Sequence, residues 1–386
     1  MDKIKVIVVD DSVFMRKALT KIINSDDIEV IETAVNGKDA IEKIKEFQPD
    51  LVTLDIEMPI MNGIEALKVI MQECPVPVIM ISTLTSEGAD ATIEALSNGA
   101  VDFVTKKTAF TEMNLLQDEI LGKIRSVANN KALRNQLKRR SLILQKKNEF
   151  IQNVTAQSDR KVSASHLEIA KQLAERSKQR KASYIQKSNR KRPETNEIEL
   201  IVIGISTGGP VALLELFKHL PGNIPVPILV AQHMPPYFTK SLADRLNGLS
   251  ELNIKEAEDG ETIKPGYVYF APGGRQMTVN KKLNLCISDE PRNELFKPSV
   301  NVLMNSAIDV FGKSMVGIIM TGMGHDGRDA LKRLHSIGGY VISQDVESCV
   351  VAGMPRSVID AGIADEIHPL NDMPDAIASL FNLTAK

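Results

Sequence analysis

Two stretches of this chain alternate short β-branched or apolar runs with segments whose apolar residues recur every three or four positions. That alternation restricts the fold to parallel α/β sheets. In the first stretch Lys5–Val9, Ile28–Ala34, Leu51–Asp55, Val76–Ser82 and Val101–Thr105 predict strands. Between them Val13–Asn24, Lys38–Phe47, Gly63–Gln72 and Ala89–Asn98 predict amphipathic helices, and Met113–Val127 closes the series. A (βα)5 order of this kind predicts a doubly wound sheet whose functional crevice lies at the carboxyl ends of its strands.

At 386 residues the chain has room for a second body. The expected division is a (βα)5 unit over residues 1–127, a connector over 128–195 and a second α/β unit over 196–386. The last opens with the apolar run Leu200–Ile203 and a helical pattern from Val211 to Leu220. Its parallel pattern resumes with Met315–Met320, Tyr340–Ser343 and Ile363–Ile367. Between these, Ile254–Asp289 is β-rich, with short strands in Gly266–Gly274 and Met277–Ile287 and a hairpin around Asn280-Lys281-Lys282. The expectation is a doubly wound parallel sheet carrying an antiparallel β insert.

The overall net charge of −2 hides an asymmetry. Lys131–Arg192 holds 18 basic and 4 acidic residues, whereas the rest of the chain holds 29 and 45. Two acidic bodies therefore flank a basic connector. The connector has no glycine or proline before Pro193, so it does not read as a Gly/Ser tether. Leu137, Leu144 and Ile151 are spaced by heptads, with Leu133 and Val154 in phase, but Arg140 and Lys147 interrupt the seam. A partly helical, solvated spacer is expected, with contact to an anionic membrane or an acidic protein surface as the alternative. No helix-turn-helix or zinc spacing points to nucleic acid. The start Met1-Asp2-Lys3-Ile4 leads into a strand and does not resemble a signal peptide, and no apolar run is long enough to span a bilayer. Cys74, Cys286 and Cys349 are widely spaced and read as reduced residues, which predicts a cytoplasmic protein.

Chemistry-bearing residues gather at the predicted strand ends. Asp10 and Asp11 end the first strand, Asp55 the third, Thr83 the fourth and Lys106 the fifth. Three acids on one crevice repel one another and call for a cation, and oxygen-only ligation suits Mg²⁺, which also accepts phosphate oxygens. Helix capping accounts for Asp11 alone, not for acids, hydroxyl and amine at successive strand ends. Val8-Val9-Asp10-Asp11-Ser12, Asp55-Ile56-Glu57-Met58-Pro59-Ile60-Met61-Asn62-Gly63, Ser82-Thr83 and Asp102-Phe103-Val104-Thr105-Lys106 resemble the response-regulator receiver domain. The resemblance implies that Asp55 accepts a phosphoryl group from a histidine kinase, that Asp10, Asp11 and Asp55 hold Mg²⁺, and that Thr83 and Lys106 contact phosphoryl oxygens. Phe103 would be a rotating aromatic switch. Lys107 follows Lys106 where this family often has proline.

In the second body, Gly204-Ile205-Ser206-Thr207-Gly208-Gly209 lies between a strand and a helix pattern, which places the Ser206 hydroxyl on an open, glycine-lined turn. Such a serine is a nucleophile or a ligand-binding hydroxyl. A nucleophile needs a base, commonly a histidine held by a carboxylate. Of His219, His233, His325 and His335, His233 ends the apolar run Ile228–Ala231, so parallel strands would bring it to the edge that carries Ser206. Asp326 follows the strand Met315–Met320, and its neighbour His325 is the competing base.

Gly204–Pro210, Gln232-His233-Met234-Pro235, Ala271-Pro272-Gly273-Gly274-Arg275, Thr321–Gly327 and Ser348–Pro355 together resemble the catalytic domain of chemotaxis protein-glutamate methylesterases. That resemblance implies Ser206 as nucleophile, His233 as base and Asp326 as its orienting acid, with no cofactor for the esterase step. Amides at the Ser206 turn or in Thr321–Gly324, Thr207 and Met323 among them, are the oxyanion candidates. The implied activity is phosphorylation-controlled hydrolysis of glutamate 5-O-methyl esters on methyl-accepting chemotaxis receptors, with deamidation of receptor glutamines as a second activity. Asn301, His325 and the pair Phe296-Lys297 depart from the residues commonly found at those places. An interaction protein without catalysis, and a regulator with nucleic-acid output through the connector, are the competing classes.

Overall fold

In the computed structural model, which describes residues 3–106, 113–130, 133, 137, 186–187 and 190–386, the first stretch folds as ten alternating elements. They are β1 (Ile4–Val9), α1 (Val13–Ile23), β2 (Ile28–Ala34), α2 (Gly37–Phe47), β3 (Leu51–Asp55), α3 (Gly63–Glu73), β4 (Val78–Ser82), α4 (Ser86–Ser97), β5 (Asp102–Thr105) and α5 (Met113–Ala128). The strands form one parallel sheet in the order β2-β1-β3-β4-β5. β3 and β4 are buried along their whole length, as central strands covered on both faces must be. Short polar side chains start the helices. Ser12 caps α1, Asn62 caps α3 in a reciprocal capping box with Glu65, and Thr85 caps α4. Gly63 lets α3 begin directly against β3, because a Cβ there would lie 2.0 Å from the Asp55 carbonyl oxygen.

The second body comprises β6 (Gln186–Lys187), β7 (Leu200–Ile205), α6 (Gly209–His219), β8 (Ile228–Gln232), α7 (Phe238–Asn247), β9 (Asn253–Glu256) and β10 (Tyr267–Phe270). It continues with β11 (Gln276–Val279), β12 (Leu285–Ser288), α8 (Val300–Phe311), β13 (Met315–Ile319), α9 (Arg328–Ser336), β14 (Tyr340–Gln344), α10 (Gly353–Asp360), β15 (Glu366–His368) and α11 (Met373–Ala378). Eight strands make one sheet in the order β6-β15-β14-β13-β7-β8-β10-β9, parallel except for β6. β11 and β12 form a separate antiparallel pair. Within the expected β-rich insert, β9 and β10 instead extend the main sheet, parallel to β8. Their apolar residues Ile254, Val268 and Phe270 share a core with Leu242 and Leu246 of α7, which a two-stranded appendage could not bury. The last strand starts at Glu366 rather than Ile363. Gly362 turns the chain with φ +66°, and Asp365 exchanges hydrogen bonds with the Val341 backbone before pairing begins.

The end of the connector is fixed to this sheet. Arg192 donates to Glu366 on β15, to the Ala376 carbonyl and to Ser379. The heptad positions Leu144, Ile151 and Val154, with Arg140 and Lys147, lie outside the described residues, as does Lys107. Cys74, Cys286 and Cys349 are free thiols. Among the described residues no helix is long and apolar enough to cross a membrane.

The two bodies pack against each other. α4 lies against α6 and α7, and one hydrophobic cluster runs through both sheets' helices. Phe103 of β5 stacks on Phe238 of α7, with centroids 4.6 Å apart and planes 5° from parallel. Asn130, just past α5, donates to the carbonyls of Cys349 and Val350.

The centre of the second sheet is packed without slack. A Cβ on Gly204 would sit 2.3 Å from Val300 Cγ1 and 3.1 Å from Ile319 Cδ1, both in the core. Gly204→Ala is therefore expected to cost about 1–3 kcal/mol of stability through overpacking. Urea unfolding should show an earlier midpoint at unchanged slope; an unchanged midpoint would show that α8 moves away freely.

Candidate active site and phosphoacceptor pocket

Ser206 follows β7 directly and is anchored through its backbone. Its amide donates to Thr321, and its carbonyl accepts from Gly209 and from the Gln232 side chain. Gly208 starts α6 with φ +75°, and a Cβ there would meet Val350 at 2.5 Å, so this turn requires glycine. β8 pairs beside β7, and the His233 amide donates to Ile205 at 3.1 Å. β13 lies on the other flank of β7, and Asp326 stands in the loop that leaves it. Three strand ends thus meet where the strand order reverses, the usual location of a ligand crevice in an open α/β sheet.

The side chains form one hydrogen-bonded chain. His233 Nδ1 lies 3.1 Å from Ser206 Oγ, and His233 Nε2 lies 2.9 Å from Asp326 Oδ2. With a neutral imidazole, Nε2–H donates to the carboxylate, and the Nδ1 lone pair faces the serine hydroxyl. Asp326 also accepts from the Val300 amide at 2.7 Å, the Asn301 amide at 2.9 Å and Ser299 Oγ at 3.2 Å. Burial alone would raise its pKa, but the His233 hydrogen bond and charge and these amides hold it below the ordinary carboxylate range. The carboxylate stays ionised and pinned.

The other described histidines are elsewhere. His325 is exposed in the loop before α9, His219 contacts Glu215 on α6, and His335 lies 3.9 Å from Asp365. A fifth histidine of this body, His368, is buried against Glu366, which also accepts from Tyr340 and Arg192. Asn301 turns its side chain away from the serine, accepting from the Ala330 amide at the start of α9.

Beside Ser206, the Thr321 hydroxyl donates to the Thr207 carbonyl and accepts from the Val351 amide. The 321–323 loop is thereby fastened against the serine turn; a Cβ on Gly322 would lie 2.8 Å from the Ser206 Cβ. The amides of Thr207 and Met323 have no hydrogen-bond partner among the described residues. Met323 reaches the other body, its sulfur 2.8 Å from where a Cβ on Gly122 of α5 would stand.

At the carboxyl edge of the first sheet, Asp10, Asp11 and Asp55 offer oxygens that all lie within 4.8 Å of one another. Asp10 and Asp55 are buried and Asp11 is exposed. Lys106 Nζ lies 2.7 Å from Asp55 and 3.0 Å from Asp10 Oδ2, yet that buried Asp10 oxygen has no well-directed hydrogen bond. Burial, opposed by Lys106 and reinforced by Asp10, pushes Asp55 up to about 6. Crowded carboxylates with an unsatisfied buried oxygen fit a hard divalent cation. Thr83 is half-buried at the end of β4, within 3.4 Å of Thr85. Phe103 is held inward, between Phe238 and Lys123, whose Nζ lies 5.3 Å from the ring centroid.

Several contributors carry no chemical mark in the sequence. Val300 acts through its backbone amide and Phe238 is an ordinary apolar residue; Asn301 and Phe296 stand out as departures from the family pattern, which points neither to the Asn301 amide on Asp326 nor to the Phe296 ring on His233. The bond from Ser299 Oγ to Asp326 likewise needs the fold to bring the two together.

A serine, a histidine and a buried carboxylate in series on an α/β sheet, joined to a sheet with an acidic phosphoacceptor-type pocket, have the arrangement of a serine hydrolase under receiver control. Residues 201–377 match the family described as CheB methylesterase, and residues 6–118 match the response regulator receiver domain. A protein-glutamate methylesterase/protein-glutamine glutaminase of Lawsonia intracellularis is 43% identical over 97% of this chain and 98% of its own. One so named from Pyrococcus horikoshii is 39% identical over 97% of this chain and 93% of its own. The Thermotoga maritima CheB methylesterase catalytic domain shares 42% identity over 47% of this chain and 98% of its own, with a TM-score of 0.46. The chain belongs to the CheB family of receiver-linked protein-glutamate methylesterases.

Proposed function

We propose that this chain hydrolyses glutamate 5-O-methyl esters on the cytoplasmic helices of methyl-accepting chemotaxis receptors, with Ser206, His233 and Asp326 as its catalytic residues. The observation that carries the reading is the His233 ring held between Ser206 Oγ and Asp326. His233 Nδ1 takes the serine proton as Oγ attacks the ester carbonyl, while Asp326 keeps Nε2 protonated and stabilises the imidazolium. The Thr207 and Met323 amides face the developing oxyanion, each contributing roughly 3–4 kcal/mol. His233 then protonates the departing methoxide, releasing methanol, and deprotonates the water that frees the glutamate carboxylate. With glutamine as substrate the leaving group is ammonia, and the same steps give deamidation.

Residues 1–127 act as the receiver, 128–195 as the connector and 196–386 as the catalytic unit in this reading. Asp55 accepts the phosphoryl group from a chemotaxis-type histidine kinase. Asp10, Asp11 and Asp55 hold Mg²⁺, which when bound offsets the negative charge of the incoming phosphoryl oxygens. Lys106 and Thr83 bind those oxygens. The Phe103–Phe238 stack, Met323 against Gly122, and Asn130 on the 349–350 carbonyls support a closed state in which the receiver restricts the Ser206 cleft. Phosphorylation weakens that packing to the extent that it discriminates between closed and open states.

The test measures methanol release from methylated receptor membranes with and without a small phosphodonor. Wild type should be stimulated, Asp55→Ala should not respond, and Phe238→Ala should raise the unstimulated rate. A phosphodonor response that survives Asp55→Ala, or a Phe238→Ala variant as slow as wild type, would overturn the gating.

A further inference from the structure

The residue stacked on the base has no place in the chemistry described so far. The Phe296 and His233 rings lie with centroids 4.1 Å apart and planes 8° from parallel. Phe296 belongs to none of the hydrophobic clusters and is half-buried, directly after Leu295, which is 83% exposed. An aromatic ring at such a place does little for the core.

Its position is nonetheless fixed from below. The Gln276 side chain, fully buried on β11, donates to the Phe296 carbonyl at 2.9 Å and accepts from the Ser299 amide at 2.8 Å. The Gly274 amide holds the Lys297 carbonyl between them at 2.9 Å. A few residues further along, Ser299, Val300 and Asn301 grip Asp326. A single segment, 296–301, thus carries both the ring on the face of the histidine and the groups that seat its carboxylate.

We infer that Phe296 is a positioning residue that fixes the plane of His233 and favours its protonated form in the transition state. The inference rests on the assignment of Ser206 and His233 given above. A face-to-face stack leaves both imidazole nitrogens free at the ring edge, directed at Ser206 and Asp326. Rotation of the imidazole out of that plane would break both hydrogen bonds and drive its edge into the phenyl ring. When Ser206 gives up its proton the imidazole becomes a cation lying on a π face, an attraction absent from the neutral ground state. An interaction made only after proton transfer raises kcat rather than lowering KM.

The experiment compares wild type, Phe296→Leu, Phe296→Met, Phe296→Tyr and Ser206→Ala as full chains, scaled to folded protein by circular dichroism. Two readouts are taken: kcat and KM for methanol release from methylated receptor membranes, and the rate at which a fluorophosphonate labels Ser206. In labelling, the Oγ–P bond forms, fluoride leaves, and His233 accepts the serine proton. Phe296→Leu and Phe296→Met keep apolar bulk without a π face and should each lose about 10-fold in kcat and in labelling rate at unchanged KM. Phe296→Tyr should stay within about 2-fold of wild type. Wild-type kcat in the Leu and Met variants, a change confined to KM, or an equal loss in the Tyr variant would overturn the inference. If Ser206→Ala still releases methanol, the catalytic assignment itself fails. If that variant is silent while Phe296→Leu and Phe296→Met keep full kcat, only the role of Phe296 falls.

Discussion

Replacing Ser206 with alanine should reduce methanol release from methylated receptors by roughly 10⁴-fold or more, with the fold intact. The residue sits in a turn held almost entirely by backbone: its amide on Thr321, its carbonyl on Gly209 and Gln232. Removing Oγ deletes the only side-chain bond it makes among the described residues, that to His233. Thermal unfolding should therefore be nearly unchanged while turnover disappears, which separates loss of chemistry from loss of structure. Retained release in Ser206→Ala would reassign the hydroxyl to substrate binding and require another nucleophile.

Asp326→Asn should be almost as damaging, about 10⁴-fold in kcat, although its shape is the same. The carboxylate accepts four hydrogen bonds, from His233, Ser299, Val300 and Asn301. An asparagine presents one oxygen and one amide to the same ring of donors. With its oxygen toward Ser299 Oγ and the Asn301 amide, its NH₂ takes the place of Oδ2, facing His233 Nε2 and the Val300 amide, and the imidazole proton moves to Nδ1. The nitrogen that faces Ser206 is then a donor and cannot take a proton. The double variant Ser206→Ala, Asp326→Asn should be no slower than Ser206→Ala alone, because the residues act as one unit. Fully additive losses, measured as residual methanol release, would mean that Asp326 works independently of the serine.

The strand ends made much of this legible. Ser206, His233, Asp55 and Lys106 each follow a buried apolar run, and in a parallel sheet all such ends point to one edge. That brought the residues near each other on paper; it did not give their roles, which depend on geometry. Which imidazole nitrogen faces Ser206 is a matter of side-chain rotation, to which residue type is blind. Much of the hold on Asp326 comes from backbone amides that every non-proline residue possesses, so the residue types of Val300 and Asn301 do not reveal it. β9 and β10 were expected in an antiparallel insert because apolar alternation says that a strand exists and not which neighbour it chooses. Phe238 and Phe103 meet only because two separately folded sheets dock.

The three catalytic candidates hang from β7, β8 and β13, adjacent strands locked in register, whereas Phe103 and Phe238 meet on a different element of each body. Phe103 and Phe238 are distinct from Ser206, His233 and Asp326, and Met323 is the one residue named both at the seam and as an oxyanion donor. Under the gating proposed above, substitutions at Phe103 or Phe238 change the fraction of time the cleft is open while leaving the rate of each open-state turnover untouched. Variation at the strand ends does the reverse. In that reading a lineage built on this scaffold retunes its dynamic range at the Phe103–Phe238 stack and its speed at the strand ends, as separate traits.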